Sequence, residues 1–127
     1  MPYLLDTCTF LWAADDPEKL GRGARKVLED ESAVYASAVS AWEIQVKYGT
    51  GKLDLRRPPR AWWTSELERL GFMALPLEAS AVFLLGALGE FHRDPFDRML
   101  ICQALYHGLV LLTPDPLIQE YPVPVIW

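Results

Sequence analysis

Four carboxylates stand where a folded chain has least use for charge. Asp6 closes the apolar run Tyr3-Leu4-Leu5, and Asp115 follows Leu109-Val110-Leu111-Leu112 by way of Thr113-Pro114. Glu43 falls with Val39, Trp42 and Val46 at helical spacing, and Asp97 shares a helical stripe with Leu100, Ile101, Ala104 and Leu105. A charge aimed into apolar surroundings is costly unless it is paired. Acids gathered at one place repel one another unless a cation neutralises them, and hard oxygen ligands favour Mg2+ or Mn2+. Such a set, holding one or two cations, is the outline of a phosphodiesterase centre.

Local roles compete with that reading. Asp94 fits a helix N-cap with Pro95 at the first helical position, and Asp97, three residues on, fits the acidic place of a capping box. Ser40-Ala41-Trp42-Glu43 reads the same way, although the helical pattern begins more naturally at Ser37. One shared site accounts for all four acids more economically than separate local roles do.

The elements that must carry these residues alternate in kind. Tyr3-Leu4-Leu5 reads as a strand, followed by a short helix through Phe10-Leu11-Trp12 that Asp15-Asp16-Pro17 stops. An amphipathic helix spans 20–30, Ala33-Val34-Tyr35-Ala36 is a second strand, and a helix runs from Ser37 to about Tyr48, ended by Gly49 and Gly51. Further helices are expected over 60–70 and 78–88, with a strand over 72–75 between them. The helix opening at Asp94-Pro95 is apolar on most sides and ends at Gly108; a buried strand over 109–112 and an edge strand over 122–127 complete the chain. This order predicts an α/β fold with a central parallel sheet flanked by helices, and such sheets bind ligands beyond the C-terminal ends of their strands. Asp6 and Asp115 lie at two such ends, while Glu43 and Asp97 lie early in helices that start there.

Composition bounds the rest. With 127 residues, 51% of them hydrophobic, the chain reads as a single domain over 1–127 with a substantial core. No apolar run has the length of a membrane span and no secretion signal is evident, so a cytoplasmic place is expected. Cys8 and Cys102 show no metal-ligand spacing and read as buried free thiols. The net charge of −5 argues against a broadly basic nucleic-acid binder, yet with Asp6, Glu43, Asp94, Asp97 and Asp115 set aside the chain is formally neutral. Lys47, Lys52, Arg56, Arg57 and Arg60 cluster in a Gly- and Pro-containing connection, as a solvated loop or as contacts for a nucleic-acid backbone.

Taken together, four stretches resemble the PIN-domain ribonucleases, and within them the VapC toxins of toxin–antitoxin modules. They are Leu4-Leu5-Asp6-Thr7 with Leu11-Trp12; Ser37-x-x-Ser40-x-Trp42-Glu43-Ile44 with Lys47 and Gly51-Lys52-Leu53; Arg93-Asp94-Pro95-Phe96-Asp97-Arg98 with Gln103-Ala104; and Thr113-x-Asp115. The resemblance implies a PIN fold, Mg2+- or Mn2+-dependent RNA cleavage, dimerisation, and inhibition by a cognate antitoxin. It matches Asp6, Glu43 and Asp97 to the acidic triad, Asp115 to a less constant fourth acid and Asp94 to an extra acid of the subfamily. Cys8 stands where many relatives have histidine, and Pro114 and Pro116 flank Asp115. The expected mechanism has Asp6 and Asp97 on the metal, Glu43 and Asp115 completing its shell, and a 5′-phosphate product. His92 and His107 are given no role in it.

Three other readings stay open at this level. An enzyme using Asp6 as phosphoryl acceptor lacks a second Asp two residues on, since Asp6 is followed by Thr7-Cys8-Thr9. A receiver-like signalling domain would want adjacent acids after the first strand and a lysine after the last. A PIN-like module that only binds a partner is the third. Trp12, Trp42, Trp62 and Trp63 are more aromatics than a small core readily engulfs, and Trp12 or the Trp62-Trp63 pair is the expected anchor for an antitoxin segment.

Overall fold

Alternate residues of each short strand serve opposite faces of one sheet, as a period of two requires. In a computed structural model describing residues 2–30 and 33–127, β1 (Tyr3–Leu5) is flanked by β2 (Val34–Ser37) and β4 (Val110–Leu112), with β3 (Met73–Leu75) and β5 (Val125–Ile126) at the edges. Every pairing is parallel, so the order is β3-β2-β1-β4-β5 and the strand ends that deliver Asp6, Ser37 and Thr113 lie side by side.

Leu4 and Leu111 enter a core with α6 (Pro95–His107) and α5 (Ala79–Val82). Leu5 and Leu112 enter a second core with Phe10 of α1 (Thr7–Asp15), Val27 of α2 (Arg22–Glu29) and Trp62 of α4 (Pro59–Leu70). Phe10 centres that second core, its ring 5.0 Å from Trp62, 5.2 Å from Trp63 and 5.5 Å from Phe72. Met99 to Ala104 of α6 are all buried, which explains a helix apolar on most sides. Its one central polar residue, Gln103, is satisfied by the Ser37 hydroxyl and by donation to the Pro76 carbonyl. Gly108, at φ 67°, ends α6 in the left-handed conformation that glycine adopts without strain.

Three expectations need correction. The helix over 78–88 is only the four-residue α5, continued by a 3-10 turn over Phe83–Ala87. Val82, Leu84, Leu85 and Leu88 pack on the core, and three of them, Val82, Leu85 and Leu88, fall at intervals of three, which suits the tighter winding. In α3 (Ala38–Gly49) the buried face is Val39, Ser40, Glu43 and Ile44, so Glu43 is inward as expected while Trp42 and Val46 are exposed. Ser37 caps that helix by accepting from the Val39 amide, and Ser40 instead accepts a hydrogen bond from the Thr7 hydroxyl, which removes the Ser40 capping box. Finally, Trp62 is a core residue, and Trp12 packs against Trp127 with ring centres 5.7 Å apart. Among the described residues no helix is long and apolar enough to cross a membrane.

Candidate metal centre

Asp6 leaves β1 directly into α1 and is that helix's N-cap, its Oδ1 accepting from the Thr9 amide at 2.8 Å and from the Cys8 thiol at 3.4 Å. Burial pushes its carboxyl above the ordinary range, and hydrogen bonds from Thr113 and Thr9 offset part of that cost. The Cys8 thiol is itself pushed up by burial and by Asp6, so it stays protonated as a donor rather than a nucleophile.

Glu43 is 5% exposed on the inner face of α3. One carboxylate oxygen, Oε2, pairs with Lys47 one turn later, and the other, Oε1, is buried with no hydrogen-bond partner among the described residues. Burial alone would lower the Lys47 ammonium, but Glu43, Asp94 and Asp97 together hold it above its ordinary value. The basic cluster expected in a loop is thereby divided: Lys47 belongs to the acids, and Arg57 donates to Ser65 and pairs with Glu66 at 3.4 Å.

Asp94 is the cap of α6, its Oδ1 accepting from the amides of Phe96 at 2.8 Å and Asp97 at 3.2 Å. Asp97 sits in the first turn of that helix, and its carboxyl is raised to about 7, first by burial and then by Asp94, Asp6 and Glu43. Asp115 follows β4, where its Oδ1 accepts from the Leu117 amide at 2.9 Å. Its Oδ2 lies 2.8 Å from His92 Nε2, which is also 3.0 Å from Asp97 Oδ2. One ligating atom from each of His92, Asp97 and Asp115 lies within 4.8 Å of the other two.

His92 is the residue that sequence reasoning missed. Its signal is slight: a histidine two residues before an N-cap, where its Nδ1 accepts the Asp94 amide at 3.1 Å. His107 stands at the opposite end of α6, ten residues from Asp97 and so about 15 Å away along the axis.

The donor set fits a hard divalent cation. Its acids offer oxygen alone, they are more than Lys47 can neutralise, and they include the Oε1 of Glu43, buried and without a partner among the described residues. Two outcomes separate capping from chemistry. Asp94→Ser should preserve stability within about 1 kcal/mol, because serine also caps, and chemical denaturation will measure it. The raised Asp97 carboxyl gives the metal-free protein a pH dependence: the folded state keeps a proton that an unfolded carboxyl, at 3.8, has lost. Stability from this group is full below that value and is lost as pH rises to about 7. In chelator the melting temperature should therefore fall from pH 5 to pH 8, and Asp97→Asn should flatten that fall.

The model of the family described as PIN domain matches residues 3–123. Ribonuclease VapC22 of Mycobacterium tuberculosis is 26% identical over 127 residues, covering 98% of this chain and 97% of that protein. Among solved structures, VapBC2 from Rickettsia felis, bound to a promoter DNA fragment, aligns with a TM-score of 0.74 at 18% identity over 99% of this chain and 98% of that one. DNA-bound VapBC from Salmonella typhimurium aligns at 0.70 and 17% identity, over 99% and 97% of the two chains. At these identities the structural likenesses speak for the fold.

Proposed function

The chain belongs to the PIN-domain family, and on that premise we propose that it is a metal-dependent endoribonuclease, the VapC-like toxin of a toxin–antitoxin module. The observation that carries this reading is the gathering of Asp6, Glu43 and Asp94 about Asp97, with Glu43 Oε1 buried and without a partner among the described residues. Asp6, Glu43 and Asp97 would hold Mg2+ or Mn2+, with Asp94 and Asp115 completing the surrounding shell. When bound, the cation acidifies the attacking water and offsets charge on the scissile phosphate.

The chain's own groups supply the rest. Lys47 sits among these acids as a fixed cation, placed to meet a phosphate oxygen. Lys52, Arg56 and Arg60 are exposed and carry no ion pair among the described residues, which leaves them for the RNA backbone. Trp42 is 53% exposed and meets Phe96 edge to face at 4.6 Å, and each is next in sequence to an acid, Glu43 and Asp97; an unstacked base fits such a surface. Attack by the RNA's own 2′-hydroxyl calls for two proton-transfer groups, and His107 is too far from His92 to be the second. Water is then the nucleophile and the product carries a 5′-phosphate.

A cognate antitoxin is the expected protein partner. Of the expected anchors, Trp62 is buried in the core while Trp12 and Trp63 are half-buried, and the exposed Trp42 offers a further one, with an Arg or Lys of the partner supplying the cation's charge. The protein acts in the cytoplasm, as a homodimer. Mapping the ends of RNA cleaved by antitoxin-free protein tests the chemistry: 5′-phosphate ends are expected, and 2′,3′-cyclic phosphates would refute the water route.

A further inference from the structure

His92 is held on every side. Its amide and that of Phe91 donate to the buried Tyr121 hydroxyl at 2.9 and 3.0 Å. Its carbonyl accepts from Arg98 Nη1 at 3.4 Å, and the same nitrogen reaches the Gly89 carbonyl at 2.8 Å. The backbone is thus tied down, and the ring's Nε2 lies between Asp115 Oδ2 and Asp97 Oδ2 at 2.8 and 3.0 Å.

The spacing of this trio imitates a metal site, but the other ring nitrogen decides its role. Nδ1 lies 3.1 Å from the Asp94 amide nitrogen, and an amide N–H only donates. Nδ1 must therefore offer its lone pair, which puts the ring proton on Nε2. A histidine that binds metal through one nitrogen ordinarily donates an N–H from the other. Here the other accepts.

We infer that His92 is a positioning residue rather than a ligand: its Nε2–H, shared by Asp97 Oδ2 and Asp115 Oδ2, clamps the two carboxylates together and leaves Asp97 Oδ1 for the cation. Asp115 needs such a clamp, because it stands in a loop between Pro114 and Pro116 and, among the described residues, has only the Leu117 amide on its Oδ1. The inference rests on the metal-dependent reading for its consequence, but not for its geometry.

Two measurements test it. In metal-free protein, side-chain 15N NMR should report His92 with its proton on Nε2; an Nδ1–H tautomer would overturn the inference whether or not metal binds. With Mn2+ added, isothermal titration and pulsed EPR compare the parent with two variants. His92→Ala should weaken Mn2+ binding about ten-fold or more, the usual size of an outer-shell loss. His92→Gln, whose side-chain amide N–H reaches the place of Nε2–H, should stay within about three-fold of the parent. Histidine nitrogen coupling to the bound Mn2+, or equal loss in both variants, would overturn the clamp. A parent protein that binds no Mn2+ would instead refute the metal-dependent reading, and the tautomer would still decide His92.

Discussion

Asp97→Asn is expected to lower RNA cleavage by about 10³-fold or more while the protein stays folded. Asp97 is the acid on which the others converge: Asp94, Asp6 and Glu43 all raise its carboxyl. The substitution removes a charge from a place where charge is costly. It should therefore abolish chemistry without the instability that usually follows a change in a part-buried polar group. At pH 8 in chelator the variant should melt above the parent, because the parent there carries the repulsion that the variant lacks. With Mg2+ or Mn2+ present the order should reverse, since cation binding stabilises only the folded parent. Cleavage assays and paired melting curves measure both halves. Undiminished cleavage by Asp97→Asn would remove this acid from the reaction.

Trp62→Ala should cost about 3–5 kcal/mol, the largest loss of stability expected from one substitution here. The side chain is 1% exposed and packs on Phe10 with ring centres 5.0 Å apart, at the middle of the core shared by α1, α4, β1 and β4. Natural domains have only about 5–15 kcal/mol in all, so the variant should be largely unfolded in modest denaturant. Its indole Nε1 is buried without a partner among the described residues, so Trp62→Phe gives up some packing but also removes an unsatisfied donor. Urea titration should place Trp62→Phe well above Trp62→Ala. If Trp62→Ala melted like the parent, the assignment of Trp62 to the core would fail.

The parts of the fold written in period and punctuation were readable from the chain alone. The Asp94-Pro95 start and Gly108 end of α6 are local chemistry, and each does in the structure what its residue type implies. The parallel sheet followed from strands alternating with helices, and with it the placing of Asp6 and Asp115 at neighbouring strand ends. Helix faces were harder to read. Trp42 and Ser40 both lie near Glu43, and hydrophobicity favours burying the tryptophan. The structure buries the serine, because the Thr7 hydroxyl bonds to it, and turns the indole out onto Phe96. His92 could not be read at all, because its meaning depends on Tyr121, Arg98 and Asp115, which meet it only in three dimensions.

The central claim, that these acids hold a cation which cleaves RNA, meets its most direct test in one titration. Antitoxin-free protein is incubated with mixed RNAs while Mn2+ or Mg2+ is raised from zero to millimolar and then removed by chelator. Cleavage that rises with the cation, stops on chelation and is absent from Asp97→Asn at every concentration is the predicted result. Cleavage that persists in chelator, or that Asp97→Asn performs as well as the parent, would contradict it.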